Sequence, residues 1–123
     1  MLITPINFEI TFTNKSILKT EFRRGKIPLK KDITGQPLKK GNETVDHTIP
    51  KSKGGKSNLY NYSLMSSLAN NKRSNKPIKE YIDLESLIEY IRVMLDVKTM
   101  DLDGVNYLRG WLRNLLKALK ENK

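Results

Sequence analysis

The chain contains no cysteine. Disulfides are therefore excluded, and so are metal sites built on thiolates. Histidine and tryptophan each occur once, the histidine as His47. No apolar run reaches the length that a bilayer span needs, so no membrane association is expected. The opening residues, MLITPINFEITF, lack the charged-then-apolar layout of a secretory signal, and the cytoplasm is the expected compartment. There is no internal repeat and no low-complexity segment. Carboxylates are scarce early on: residues 1–77 hold 5 Asp and Glu.

Against that scarcity stand 15 Lys and Arg in the same 77 residues, whereas residues 78–123 carry 8 of each sign. The net charge of +10 thus belongs to the first part of the chain. A polyanion is the expected partner, because neutralising phosphates releases their condensed counterions. With 123 residues, 37% hydrophobic and 29% charged, the chain reads as one globular domain with a modest core.

Alternation of Ile6, Phe8, Ile10 and Phe12 with polar residues predicts a strand over 6–12. Residues 16–24 fit a short helix or a second hairpin strand, and Gly25 ends them. Leu38 and residues 43–45 predict the two strands of a hairpin around a loop at 39–42. Pro50 and the Gly54-Gly55 corner forbid a continuous helix after Asp46. Leu59, Leu64 and Leu68 recur at helical spacing and predict a helix over about 61–71. Pro77 suits the first turn of an amphipathic helix of about five turns carrying Tyr81, Leu84, Leu87, Ile88, Ile91, Met94 and Leu95. Asp101 or Asp103 can cap the last helix. Its stripe is Val105, Leu108, Leu112, Leu115 and Leu119, widened by Trp111 and Leu116. Packing, rather than base stacking, is expected of Tyr107 and Trp111.

The chemistry concentrates in residues 45–77. Hydrolysis of a phosphodiester near neutral pH needs a base that titrates there, and His47 has the right side chain. It also needs a divalent cation against the charge that builds on the phosphate. A carboxylate and an amide oxygen suit a hard cation, and Asp46 and Asn70 supply them if the fold returns residue 70 to residue 46. Strand neighbours point to opposite faces, so Asp46 and His47 can act together only where a strand ends or bends.

The stretch VDHTIPKSKGGKSNLYNYSLMSSLANNKR resembles the signature of the HNH endonucleases. Its parts are Asp46-His47, Ile49-Pro50, Ser52-Lys53-Gly54-Gly55, Asn61, Asn70 and Arg73, with 14 residues from His47 to Asn61 and 9 from Asn61 to Asn70. The resemblance implies an α+β protein built on a ββα-metal (His-Me finger) unit over 31–77. Outside the resemblance, the residue pattern predicts a β-rich N-terminal extension over 1–30 and an antiparallel helical pair over 78–123, all in one domain. It implies DNA cleavage with one divalent cation, Mg²⁺ or Mn²⁺, with Ni²⁺ and Zn²⁺ as alternatives. In that scheme His47 is the general base, Asp46 and Asn70 hold the metal, and Asn61 holds the loop and orients His47. Arg73, with Lys72, contacts a phosphate. Lys51, Lys53 and Lys56 are expected to follow the DNA backbone. A homodimer or a larger phage or restriction protein is the further partner such a chain would take.

Many members of that family staple the unit with two Cys-x-x-Cys pairs on a structural zinc. The matching positions here are Lys31, Thr34, Ser66 and Ala69, so no structural zinc is expected. Flanking elements must supply the missing core. The alternative reading is a non-catalytic nucleic-acid-binding or regulatory module of the same shape, or an accessory subunit that cleaves only with a larger partner.

Overall fold

The computed structural model describes residues 12–120. Most of the expected strand at 6–12 lies outside them. Within them the architecture is mixed: four α-helices and one two-stranded antiparallel sheet. Helix α1 spans Ser16–Arg23 and resolves the ambiguity there in favour of helix. Asn14 Oδ1 accepts from Ser16 N at its start (2.9 Å), and Leu18 and Phe22, one turn apart, enter the core. Arg23 at its end is ion-paired with Glu43, the first residue of the sheet.

Strand β1 is Glu43–His47 and strand β2 is Tyr62–Ser66, paired from Glu43↔Ser66 to His47↔Tyr62. This corrects two expectations. The partner of β1 is not the segment at Leu38, which instead enters the core beside a bridge between Lys31 and Pro37. The expected helix over 61–71 is a strand followed by a shorter helix, α2, at Ser67–Arg73. The reason is burial. All five residues of β2 are buried, so no solvent-facing side marks it as a strand, and Leu64 falls at helical spacing between Leu59 before the strand and Leu68 in α2 by chance.

The outer edge of β2 is closed by side chains. Tyr90 Oη accepts from Leu64 N (3.2 Å), Asp32 Oδ2 accepts from Ser66 N (2.8 Å), and Tyr107 Oη donates to Tyr62 O (2.5 Å). Every second residue of the strand thus finds the partner that a third strand would have given it. Two of these side chains come from the last helices, α3 at Leu84–Asp96 and α4 at Gly104–Lys120. Asp83 caps α3 through Ser86 N (3.1 Å), and Asp103 caps α4 through Val105 N (3.0 Å). Residues 78–80 form a separate 3₁₀ turn, so α3 starts later than the apolar pattern suggested. Tyr90 meets Tyr107 and Trp111, while Met94 lies against Gly104, the order of contacts in an antiparallel pair. Trp111 has no exposure, and its Nε1 donates to Ser63 Oγ (2.9 Å). On α4 the buried side is Tyr107, Leu108, Trp111, Leu115 and Ala118, while Val105 and Leu116 are exposed.

Asp32 joins two of the positions that the HNH resemblance matches to zinc ligands. It lies beside Lys31, one of the four positions matched to zinc ligands, and binds the backbone of Ser66, another. Its other oxygen accepts from Thr34 N (2.9 Å), Thr34 Oγ1 (2.6 Å) and Gln36 N (3.1 Å). A single unexposed carboxylate therefore ties the 31–37 turn to the junction of β2 and α2. Asp32→Ala leaves buried donors without an acceptor, and the expected loss is about 2–5 kcal/mol. Urea denaturation should show it as a lower midpoint at unchanged slope.

Candidate functional site

Strand β1 ends on Asp46-His47, and the chain bends directly afterwards at Thr48 and Ile49. Alternation turns Thr44 and Asp46 to one face and Val45 and His47 to the other. Helix α2 serves the first face. Asn70 Nδ2 donates to Thr44 Oγ1 (2.9 Å), and the Arg73 guanidinium is ion-paired with Asp46. Residues 70 and 73 are thus returned to β1, Asn70 to Thr44 and Arg73 to Asp46.

The expectation that Arg73 contacts a phosphate is not met. Arg73 is fully buried. Besides Asp46, its guanidinium donates to His47 O (3.1 Å), Thr48 O (2.5 Å) and Lys76 O (2.9 Å). A buried guanidinium is stable only when its donors are satisfied, and here the strand end and the following turn satisfy them. The turn is made possible by Ser74, which adopts φ 52° and brings Lys76 back to Arg73. Arg73 is therefore a clamp on the end of β1. Lys72, its exposed neighbour, is the cation that α2 offers to solvent.

Asp46 is 4% exposed. Burial pushes its carboxyl up to about 6, against the pull of Arg73. Among the described residues Arg73 is its one hydrogen-bond donor, and it takes Oδ2. Oδ1 of Asp46 and the amide oxygen of Asn70 are hard donors of the kind that Mg²⁺ and Mn²⁺ accept. Magnesium usually takes one or two carboxylates and fills its other positions with water and phosphate. The described residues contain no group of three or more His, Cys, Asp or Glu side chains arranged for a metal. By their chemistry these two oxygens suit a hard cation that shares its shell with substrate.

His47 is half-buried. Its ring stands edge-on to Tyr62 (centroids 5.3 Å apart), and Nε2 lies 3.3 Å from Ser57 Oγ. Burial, with Lys15 and Lys51 nearby, holds its pKa below the ordinary 6.5. The imidazole is therefore neutral at pH 7 and able to accept a proton.

Asn61 is buried and uses both ends of its amide. Nδ2 donates to Ile49 O and Lys56 O, each at 2.9 Å, and Oδ1 accepts from Ile49 N and Asn114 Nδ2, each at 2.8 Å. Its backbone oxygen also accepts from Thr48 N (2.8 Å). Asn61 thus pins both ends of the 49–56 loop, directly after His47, and touches no reacting atom: it is a positioning residue. The glycine pair serves the same loop. Gly54 has φ 90°, which favours glycine, and a Cβ on Gly55 would fall 1.7 Å from Ile49 O. Lys51, Lys53 and Lys56 project from this loop, all exposed.

Sequence reasoning missed Thr44, which binds Asn70, Ser57, which lies against His47, Asn114, which binds Asn61, and Lys15, whose charge acts on His47. Asp32 was findable: Asp32-Ile33-Thr34-Gly35 is the pattern of a side chain closing its own turn. No protein-family model, no curated protein and no solved structure matches the chain.

Proposed function

We propose that the chain is a metal-dependent endonuclease of the HNH type, built on a ββα-metal unit, that hydrolyses DNA phosphodiester bonds. One observation carries the reading. β1 ends on Asp46-His47, the loop after it is pinned by Asn61, and α2 returns Asn70 to the Asp46 face. That order of strand, pinned loop, strand and helix supports the reading, with Asp46 and Asn70 on one face at the end of β1 and His47 on the other.

In this reading neutral His47 takes a proton from water as the oxygen attacks phosphorus. The bond from phosphorus to the leaving oxygen breaks, and that oxygen is protonated from solvent. Asp46 and Asn70 would hold the cation, and its charge would offset the negative charge gathering on the phosphate. Lys51, Lys53, Lys56 and Lys72 hold the backbone of the nucleic acid. Tyr62 and Ser57 fix the imidazole ring.

Supercoiled plasmid is expected to be cut with Mg²⁺ or Mn²⁺ and left intact with EDTA. A protein that binds DNA but cuts under no cation, Ni²⁺ and Zn²⁺ included, is the result that removes the nuclease reading. The buried Asp46–Arg73 pair favours the second reading, a binding module or partner-dependent subunit of the same shape, because it occupies the carboxylate that the metal needs.

The pH profile gives an independent check. A lowered His47 pKa places the acidic limb of cleavage below pH 6.5, with a plateau above it. Lys51→Glu replaces a repelling charge with an attracting one, stabilises the imidazolium and moves the limb upward. The Asp46 shift arises from burial and from Asp32, opposed by Arg73, so this variant moves the histidine limb alone. A limb that stays put under Lys51→Glu argues against His47 as the base.

A further inference from the structure

A cleft of about 130 Å³ opens between the turn at 48–54, the corner at Pro77-Ile78 and the last turns of α4. Its walls are mainly apolar: Ile49, Pro50, Pro77, Ile78 and Ala118. Two lysines border it from different elements, Lys53 from the turn and Lys117 from α4. Both are exposed, and neither pairs with a carboxylate among the described residues.

Lys117 is the end of a longer feature. α4 carries Arg109, Arg113, Lys117 and Lys120 and no acidic residue, and all four are exposed. Arg109, Arg113 and Lys117 repeat every fourth residue and share one face. The neutrality of residues 78–123 conceals this, because seven of their eight carboxylates lie in 78–103. The basic surface of the Lys51–Lys53 turn therefore continues past the cleft onto α4.

We propose that the cleft is a subsite for one unpaired nucleotide of a nucleic-acid strand, with Lys53 and Lys117 on its phosphate and the apolar walls around its base. This rests on the nucleic-acid reading above and narrows it to a strand with an unpaired base near the site. The chemistry fits. A base needs apolar faces, its phosphate needs cations, and a base held within a duplex can enter no such cleft. Arg113 and Arg109 extend the path for the phosphates that follow.

The test is binding by fluorescence anisotropy, on the full chain in EDTA, so that no cleavage enters the measurement. The probes are a labelled DNA 20-mer as single strand, as duplex and with its bases removed, plus the RNA single strand to separate the sugars. The intact DNA or RNA single strand is expected to bind at least tenfold tighter than the duplex and the abasic strand. Lys53→Glu/Lys117→Glu should weaken single-strand binding by at least tenfold and flatten its salt dependence by about 0.7 in log–log slope per phosphate lost. Arg92→Glu, the same charge change on α3, should do neither. Ala118→Leu fills the floor and should remove the advantage of the intact strand over the abasic one, with the fold checked by circular dichroism. Equal binding of intact and abasic strands by the wild-type chain overturns the subsite. So does a lysine pair whose reversal matters no more than that of Arg92. If duplex binding survives either result, the nucleic-acid reading stands without the subsite, and metal-dependent cleavage is judged separately.

Discussion

His47→Ala is expected to lower metal-dependent plasmid cleavage by about 10²–10⁴-fold, the range that a general base contributes. The fold should survive. His47 is half-buried at the end of β1 and contributes one edge-on contact with Tyr62 and one long contact with Ser57. Losing an aromatic pair of this kind costs about 0.5–1.5 kcal/mol, well within the margin of a folded domain. Nucleic-acid affinity should also survive, because the cations assigned to binding, Lys51, Lys53, Lys56 and Lys72, are untouched. The variant therefore separates catalysis from both folding and binding. Full cleavage by His47→Ala, with cation present, would falsify the mechanism. Loss of binding together with cleavage would reassign His47 to the nucleic-acid surface.

Arg73→Ala should be far more damaging to the fold. Removing one partner of a buried ion pair costs about 3–5 kcal/mol, since the remaining charge is left without solvent or partner. Here Asp46 would be that charge, and the carbonyls of His47, Thr48 and Lys76 would lose their donor as well. The penalty should depend on pH. The folded pKa of Asp46 is already raised above its ordinary value, so the carboxylate costs the folded state increasingly as pH climbs through the interval between the two. Without Arg73 the folded pKa rises further. The stability gap between variant and wild type should therefore be widest above neutral pH and shrink toward pH 4. Adding Asp46→Asn should recover part of the loss by removing the orphaned charge. Urea denaturation at pH 5 and pH 8 measures both effects. A gap that is equal at the two pH values would mean that Arg73 acts through its carbonyl contacts alone. Arg73→Lys should restore little, because an ammonium cannot reach the strand end, the turn and Asp46 with a planar fork of donors.

These expectations show how differently the parts of the site could be read in advance. The residue types and intervals around His47 could be picked out because the proposed chemistry would restrict them: a base near neutrality and hard oxygen donors. Arg73 was legible as a position and misread in its role. A basic residue three places after Asn70 looks like a phosphate contact, and only burial shows that its charge is spent on Asp46. β2 was misread for the related reason that a strand buried on both faces has no solvent-facing side to mark it. The stripe of α4 was half legible: Leu108, Trp111 and Leu115 are core, yet its cations disappeared into a neutral total for residues 78–123.

By itself the sequence determined a basic α+β chain without thiolate chemistry, the helical pair with a cap at Asp101 or Asp103, and the spacing of Asp46, His47, Asn61 and Asn70. Composition, capping and spacing are local properties, and a linear string carries them in full. The tertiary structure alone decided which strand pairs with β1, that Asp32 ties the 31–37 turn to the start of α2, that Asn61 and Asn114 lock the loop behind His47, and that Lys53 and Lys117 border one cleft. Each of these joins residues far apart in the chain through burial or a hydrogen bond, and such contacts are selected by how the whole core packs.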